Sequence, residues 1–244
     1  MSKESSKTSA KNVHQGHRKR LRQQFLEHGL DRFYDHQALE LLLFYTNPRE
    51  DTNPIAHELL NRFGSISNIL NAPYEDLLEV DKVGENTACL LKFLPQFFVK
   101  YLLSGLDGKK LETTTDMCRY FLYKLSVVQN EQLWLTCLDD KMGVVSNIKI
   151  SDGDGSSVRF DKTIIVTEAL KSKCTNCVLA HNHPFCDTMP SNEDINCTER
   201  LRENLKDMGI TLVDHIIVSR TEARSMFYHN VVVLEDDLKN KEIS

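Results

Sequence analysis

The sequence predicts an all-α domain over residues 17–104, followed by an α/β domain over residues 113–232 with a mixed sheet flanked by helices. Apolar residues in the first part recur at helical spacing and are interrupted by glycine and proline. In the second part, strand patterns alternate with helical ones. A polar, glycine-containing linker over residues 105–112 separates the two, and the ends, residues 1–16 and 233–244, are predicted to be tails, the first of them disordered.

Composition narrows the class of protein. The chain has 244 residues, 41% of them apolar and 27% charged, with a net charge of -5, so it is an ordinary globular protein and not one that coats itself in nucleic acid. No run approaches the roughly 18 apolar residues of a membrane span, and residues 1–15 lack a signal peptide's apolar stretch. We therefore expect a cytoplasmic protein without a membrane partner.

The seven cysteines are expected to be reduced, because their number is odd and no export signal is present. Cys174 and Cys177 form the one CxxC motif. A structural zinc site would need a second pair of ligands at matching spacing, which the sequence does not offer. We interpret this motif as structural or incidental.

Glycine and proline set the boundaries of the helices in the first part. Gly29 and Gly64 each follow an apolar helical pattern, and Pro54 begins one, as these residues do at helix ends. A later helix includes Pro95, where a kink is expected. The predicted helices cover about residues 17–28, 36–45, 54–63, 65–72, 74–80 and 85–104.

The second part begins with a predicted helix over residues 116–126. Residues 131–138 and 144–150 then form a β-hairpin around an Asp-Asp-Lys-Met-Gly turn, followed by a Gly/Ser-rich loop. Two helix–strand units follow, and Gly209 lies where a helix C-cap is expected. They comprise a helix near 163–173, a strand at 176–180, a helix at 191–208 and a strand at 210–219.

A metal site is predicted where the strand at 176–180 ends. Residues two apart on a strand share a face, so His181 and His183 point together. Asp194, in the first turn of the next helix, can turn back toward them across a short loop. Two imidazoles and one carboxylate leave a tetrahedral zinc ion with one open position, which is typical of catalytic sites.

A structural interpretation of the same residues must be weighed. Ser191-x-x-Asp194 is also a capping-box pattern, and a first-turn aspartate suits the helix dipole in any case. An isolated HxH is a weak signal as well. The combination is more specific, because His-x-His, seven residues, Ser, two residues and Asp are fixed together. This spacing is similar to that of the JAMM (MPN-type) zinc metalloproteases.

Flanking residues resemble the RadC family, the bacterial branch of the JAMM-like proteins, over roughly residues 16–232. The runs that carry this resemblance are Leu179-Ala180-His181-Asn182-His183-Pro184, Leu212-Val213-Asp214-His215-Ile216-Ile217-Val218, Gly16-His17-Arg18-Lys19-Arg20-Leu21-Arg22, Arg49-Glu50-Asp51-Thr52-Asn53-Pro54 and Arg62-Phe63-Gly64-Ser65. The resemblance implies a JAMM/MPN-type (cytidine-deaminase-like) α/β domain preceded by a helix-hairpin-helix-like domain.

The resemblance also implies a reaction. Zn²⁺ held by His181, His183 and Asp194 would activate water, and Glu131, just before the first core strand, would be the general base. Ser191 would hydrogen-bond the developing oxyanion. The chain is then expected to be a zinc metalloprotease, a hydrolase of a peptide or isopeptide bond in an unknown protein or peptide. The alternative for Glu131 is an ordinary acid at a strand edge.

The chain departs from the family pattern beside the metal motif. RadC proteins usually have Ser and Gly after His-Asn-His-Pro, whereas this chain has Phe185 and Cys186. Losing the glycine is expected to alter the loop and narrow the approach of substrate. A minority hypothesis has the Cys186 thiolate take the water position. The family's Pro-Arg-Glu before a helix is also replaced, here by Phe160-Asp161-Lys162.

DNA contact is a second expectation for the helical domain. Residues 77–91 resemble a helix-hairpin-helix, although its usual Gly-x-Gly is reduced here to Gly84 and Asp81 lies where a phosphate would bind. The basic cluster of Arg18, Lys19, Arg20 and Arg22 would add contacts, or it is a solvated helix face. The association of the RadC name with DNA repair gives an alternative function, a non-catalytic DNA-repair or recombination accessory with a structural zinc, which nothing in the sequence supports directly.

Two other enzyme classes are disfavoured. The residues of an HNH nuclease are spread through a ββα unit, and a zinc deaminase needs H-x-E followed by P-C-x-x-C, which this chain lacks. Asp214 and His215 are predicted to lie mid-strand beside the metal site, as partners of a ligand imidazole.

Overall fold

The computed structural model describes residues 5–106, 110–152 and 160–236, with side chains described from residue 16 onward. The chain divides into two compact units, residues 1–97 and residues 98–244. None of the described helices has both the length and the apolar content needed to cross a membrane.

The first unit is all-helical, as predicted. Asp51 begins one helix by accepting a hydrogen bond from the Asn53 amide, and Gly64 ends it with a φ of 84°. The helices are α1 (Ser5–His28), α2 (Asp35–Leu43), α3 (Thr52–Phe63), α4 (Ile66–Asn71), α5 (Tyr74–Leu78) and α6 (Glu85–Ser104), and α6 continues past the unit boundary.

Buried polar groups tie the helices of this unit together around an apolar core that includes Leu39, Leu59 and Leu91. The Glu40 carboxylate, 1% exposed, contacts His17 Nε2 at 2.8 Å and accepts a hydrogen bond from Asn53 Nδ2 at 3.2 Å. This carboxylate therefore links α1, α2 and α3.

Arg18 is a structural residue in this unit. Its guanidinium donates to the carbonyl oxygens of Asn47 at 2.7 Å and Pro48 at 2.9 Å, and also to that of Glu50. It lies 4.7 Å from the centroid of the Phe44 ring. One member of the basic cluster that the sequence offered for DNA contact is thus used to hold the loop between α2 and α3.

The turn between α5 and α6 does not need the glycine that is missing from the helix-hairpin-helix pattern. Lys82 itself adopts a φ of 63°, and its carbonyl accepts a hydrogen bond from Asn47 Nδ2 at 2.9 Å. A long side chain in this left-handed conformation is unusual, and the bond to Asn47 helps to hold it.

The second unit is an α/β structure built on one mixed sheet of six strands in the order β2-β1-β3-β4-β5-β6. Only β3 and β4 are parallel, and the remaining neighbours are antiparallel. The elements are α7 (Thr114–Leu125), β1 (Gln132–Leu138), β2 (Val144–Asp152), α8 (Lys162–Ser172), β3 (Asn176–Asn182), α9 (Asn192–Asp207), β4 (Thr211–Val218), β5 (Glu222–Ser225) and β6 (Val231–Val233).

Helices cover both faces of this sheet, giving three layers. Phe121 and Leu122 of α7 pack on one face, against Val178, Ala180 and other strand residues. On the opposite face α8 and α9 pack against the strand side chains that alternate with those facing α7. Leu133 and Leu179 are among them. A strand presents alternate residues to each face, so His181 belongs to the α8/α9 face together with Leu179.

The structure differs from the sequence prediction at the ends of the domains. Helix α1 begins at Ser5, where a disordered tail had been expected, because a helix that is packed farther along extends at little cost per residue. Leu111, assigned to the linker, is buried in the α/β core, and part of the linker, residues 107–109, lies outside the described residues.

The C-terminal part of the sheet was also underestimated. The short strands β5 and β6 had not been predicted, and β6 includes Val233, where a tail had been expected to begin. The Leu234 amide also donates to the Thr221 carbonyl at 2.8 Å. The rest of the predicted tail from residue 237, and most of the Gly/Ser-rich loop (153–159), lie outside the described residues.

Candidate metal centre

Three side chains converge on one point at the edge of the sheet. The donor atoms of His181, His183 and Asp194 all lie within 4.8 Å of one another. The two Nε2 atoms are 2.9 Å apart, and His181 Nε2 is 3.5 Å from Asp194 Oδ1. Among the described residues this is the one such cluster of His, Cys, Asp or Glu, and it comprises the three residues that the spacing predicted.

The histidines present Nε2 to this point because their Nδ1 atoms are engaged elsewhere. His183 Nδ1 lies 2.9 Å from the carbonyl oxygen of Asp187, which can only accept, so Nδ1 carries the proton. The lone pair of His183 is therefore on Nε2. His181 Nδ1 lies 2.8 Å from His215 Nε2, inside the protein.

His215 continues this chain of hydrogen bonds into α9. Its Nδ1 lies 2.7 Å from the hydroxyl oxygen of Thr198, and both residues are buried. Two proton patterns are self-consistent, since a hydroxyl can donate or accept. In one, His181 donates from Nε2 to His183. In the other, His181 donates from Nδ1 to His215, which donates to Thr198, and Nε2 is left free to bind a cation.

Burial keeps this imidazole chain neutral. It lowers the pKa of His181 to about 4, with a further lowering from His183 and an opposing contribution from Asp194. Burial, followed by the nearby His181 and His183, also lowers the pKa of His215 well below its ordinary value. Neutral imidazoles are the form that binds metals.

Asp194 serves the helix and the cluster at once. Its Oδ2 accepts hydrogen bonds from the Ser191 amide at 2.8 Å and the Ser191 hydroxyl at 2.6 Å, and the Asp194 amide donates to Ser191 Oγ at 3.1 Å. This is the capping box that the Ser191-x-x-Asp194 pattern indicated. Because Oδ1 remains directed at His181, the structural and ligand interpretations of Asp194 are compatible.

Ser191 itself is seen as the N-cap of α9. Its hydroxyl donates to Asp194 and accepts from the backbone, so in this arrangement it holds a cluster residue. Its predicted contact with an oxyanion stays a prediction.

Glu131 lies beside the cluster in the strand register. Leu133 is paired with His181, and the Gln132 amide donates to Asn182 Oδ1 at 2.8 Å, which brings Glu131 level with His183. Alternation along β1 gives Glu131 the same face as Leu133, the face of α8 and α9. Glu131, which is half-buried, thus directly precedes the strand that pairs with the histidine strand, and it is not one of the three converging residues.

Asn182 fixes the segment that carries Glu131. Besides accepting from Gln132, its side-chain amide donates to the carbonyl oxygens of Asn130 at 3.0 Å and Val128 at 3.3 Å. Asn182 is 1% exposed. It lies between the two histidines in sequence and, pointing to the other face of β3, holds the chain that precedes β1.

Asp214, predicted to support a ligand, instead organises the backbone on the other side of β4. It accepts hydrogen bonds from the Ser225 hydroxyl at 2.6 Å and from the His215 amide at 2.7 Å. Burial raises its pKa, against a lowering by these hydrogen bonds. His215 is therefore the partner of His181, and Asp214 contacts His215 only through its backbone amide.

Sequence reasoning missed Thr198 and Asn182. Thr198 carries a faint signal, since it stands four residues after Asp194 and so on the same side of α9. Asn182 was visible only as the middle letter of the His-x-His motif, and nothing in the sequence linked it to residues 128–132.

The cysteines do not join the metal cluster. Cys186 is exposed and lies outside the group of converging donor atoms, which counts against its proposed role as a ligand. Cys174 and Cys177 are free and buried, and burial raises the pKa of Cys174 to about 12. This agrees with a structural interpretation of the CxxC motif.

Fold and site together define a JAB-type (MPN-like) domain, a class of domains that includes metallohydrolases. Residues 111–231 match the family model described as a RadC-like JAB domain. A UPF0758 protein of Fusobacterium nucleatum is 32% identical over 231 residues, covering 89% of this chain and 97% of that protein. A UPF0758 protein of Ruegeria pomeroyi is 32% identical over 206 residues, covering 84% of this chain and 92% of that protein.

The chain belongs to the RadC family. The relatives align across both units, so the resemblance drawn from sequence motifs extends over most of the protein. The names of these relatives state no reaction, and the function is therefore argued from the site.

Proposed function

We propose that this protein is a JAMM-type, zinc-dependent metallohydrolase that cleaves a peptide or isopeptide bond. The observation that carries the proposal is the convergence of His181 Nε2, His183 Nε2 and an Asp194 oxygen, and Glu131 comes two residues before Leu133, the strand partner of His181.

The donor set fits zinc. Nitrogens bound to a tetrahedral zinc ion at about 2.0–2.1 Å stand roughly 3.3–3.4 Å apart. The distances of 2.9 Å between the histidine nitrogens and 3.5 Å from His181 to Asp194 bracket this separation. The second histidine has its Nε2 lone pair free, and the first can free its own by donating to His215. Three protein ligands leave a fourth position open.

Each residue then has a part in the reaction. Zinc, when bound, supplies Lewis acidity that lowers the pKa of water from 15.7 toward about 7. The Glu131 carboxylate accepts the proton from the attacking water and delivers it to the leaving amine nitrogen. Asp194 and the two histidines hold the ion, Ser191 would stabilise charge on the carbonyl oxygen, and Asn182 holds the segment that carries Glu131.

The test separates binding of metal from catalysis. Purified wild type is analysed for zinc and screened against peptide and isopeptide substrates, with Glu131→Gln as the variant that removes the base but keeps the shape of the side chain. We expect Glu131→Gln to hold zinc as wild type does and to lose at least about 100-fold in rate. Wild type that binds no zinc at neutral pH, or equal activity in both proteins, would refute the hydrolase proposal.

A second candidate is a non-catalytic DNA-repair accessory whose zinc is structural. The observation in its favour is a cavity of about 610 Å³ at the start of α6, lined in part by Arg49, Lys82 and Asn86. Glu50 and Glu85 line the same cavity, and Glu50 pairs with Lys82 at 3.6 Å, which leaves little positive charge for a phosphate. A duplex-DNA titration at rising salt tests it, and binding that Arg49→Met abolishes would support it.

A further inference from the structure

The exposed Phe185 and the partly buried Arg220 form a pair in the loops that follow β3 and β4. The Phe185 side chain is 77% exposed, and the Arg220 guanidinium carbon lies 5.2 Å from the centroid of its ring. A cation at this distance is attracted to the ring face. The contact orients an aromatic surface that would otherwise be free to rotate in solvent.

The pair lies beside a predicted metal ligand. The His183 amide donates to the Val218 carbonyl at 2.7 Å. Phe185 is two residues beyond His183, and Arg220 is two residues beyond Val218. Two residues span at most about 7 Å of extended chain, so both members of the pair stand next to the backbone of His183.

The Arg220 guanidinium still has binding capacity. Its Nε atom is buried and has no hydrogen-bond partner, and Arg220 forms no ion pair with any carboxylate in the part of the chain that the structure describes. The neighbouring Arg224 differs, because its Nε donates to Thr188 at 3.2 Å and it lies 4.0 Å from Glu222. A guanidinium whose charge no carboxylate of the described residues neutralises is well suited to a carboxylate of a bound substrate.

The loop that carries Phe185 is fixed at several points. Thr188 is fully buried and donates to Glu222, and it accepts from Arg224. The Asp187 carbonyl is bonded to His183 Nδ1 at 2.9 Å. The aromatic ring is therefore presented from a braced segment, which suits a surface that selects among substrates.

We propose that Phe185 and Arg220 form a substrate subsite that selects a carboxylate close to the scissile amide. Arg220 binds the carboxylate, and the Phe185 ring packs on the apolar stem that carries it. The carboxylate belongs to an acidic side chain or to a chain terminus. This inference rests on the proposed hydrolase function, and it adds a substrate class to it.

Peptide hydroxamates test the subsite without requiring turnover. The hydroxamate group binds zinc, and the rest of the molecule is then held close to Phe185 and Arg220. The first matched pair is N-acetylglutamyl hydroxamate and N-acetylglutaminyl hydroxamate. The second is a succinyl hydroxamate extended by alanine, with a free or an amidated terminus. Dissociation constants are measured by calorimetry on the zinc-loaded full chain, for wild type, Arg220→Met and Arg200→Met.

In wild type we expect the carboxylate member of one pair to bind about tenfold more tightly than its amide partner. The pair that shows this preference identifies the source of the carboxylate. Arg220→Met should reduce the ratio to less than about twofold, with the amide's affinity unchanged. Arg200→Met, which removes an exposed charge from α9, should keep the wild-type ratio. Phe185→Leu should give an intermediate ratio.

The outcomes separate the two proposals. Equal affinity for carboxylate and amide in wild type overturns the subsite, as does an equal loss for both members in Arg220→Met. A carboxylate preference that depends on Arg220, in a protein that cleaves no peptide, retains the subsite and overturns the hydrolase. If no hydroxamate binds zinc-loaded protein, the open metal position is absent and both proposals fall.

Discussion

Buried polar groups form a closed set of hydrogen bonds in the helical unit and a set that ends at a group of metal-binding side-chain types in the α/β unit. In the helical unit the Glu40 carboxylate and the Asn47 side chain satisfy partners within the unit, such as His17 and Thr87. In the α/β unit a series of side-chain hydrogen bonds runs from Thr198 through His215 to His181 and ends at the cluster of converging donor atoms. We call this series the open network. Closed networks hold helices in place, whereas an open one leaves a donor atom available for chemistry.

The largest effect should follow from removing a ligand. His183→Ala takes away one of three donors and should lower zinc affinity by more than about 100-fold. Removing even a residue that only hydrogen-bonds a ligand lowers metal affinity 10- to 100-fold. Competition with a chromophoric chelator measures this. His57→Ala, an exposed histidine of the helical unit, is the control and should bind zinc normally. Unchanged affinity in His183→Ala would show that the open network is not a metal site.

The metal-free protein should lose stability as the pH falls from about 6.5 to about 4. His181 has a folded-state pKa of about 4, below its ordinary 6.5, so the unfolded chain takes up a proton that the folded chain refuses. The stability present above pH 6.5 is therefore lost in this window, by on the order of 3 kcal/mol.

Urea unfolding of the metal-free protein at pH 7.5, 6 and 5, followed by a signal from the α/β unit, tests this. The raised pKa of Asp214 works in the opposite direction, because its contribution is lost as the pH rises. His181→Phe should make the profile shallower, and His215, whose pKa burial lowers in the same direction, should keep part of the pH dependence. A profile as steep in His181→Phe as in wild type would assign the pH dependence to other groups.

Thr198→Val tests the inner end of the open network. Valine keeps the shape of threonine but cannot accept a hydrogen bond from His215 Nδ1, so the proton pattern that frees His181 Nε2 is disfavoured. We expect zinc affinity to fall about 10- to 100-fold. Thr198→Ser restores a hydroxyl and should recover most of the affinity. Equal zinc affinity in the valine variant and wild type would contradict this role.

The smallest effect tests whether Arg18 has a structural role that its exposed neighbour Lys19 lacks. Arg18→Met leaves the carbonyl oxygens of the loop between α2 and α3 without their donor and should destabilise the helical unit by about 1 to 2 kcal/mol. Lys19→Met, an exposed neighbour, should change stability by less than about 0.5 kcal/mol. Thermal unfolding compares the two, and a Lys19 effect as large as that of Arg18 would refute the distinction.

The fold class and the convergence of His181, His183 and Asp194 could be predicted because they follow from local rules. The period of a strand puts His181 and His183 on one face, and the first turn of α9 brings Asp194 back to them. Of the residues around them, His215 was predicted as a partner, whereas the contacts of Thr198 and Asn182 could not be predicted in the same way. Thr198 and His215 meet only when α9 packs on β4, and the Asn182 bonds depend on the chain path before β1.

Segments defined by weak or short patterns were also missed. The strands β5 and β6 have four and three residues, too few for alternation to be recognised. The helical start of α1 has the polar composition of a tail. The departure at Phe185 was visible in the sequence, but its partner Arg220 lies in a turn that only the structure brings beside it.

Asn182 has a consequence for how such a protein could change over evolutionary time. The imidazoles and the proposed base are carried by separate strands, and this one side chain connects the strand of the histidines to the approach of the other. A substitution there would leave the ion's donors in place and release the segment of Glu131. If the proposed function holds, a descendant with this one exchange would keep the three metal-binding side chains but lose hydrolysis, and so become a binding protein.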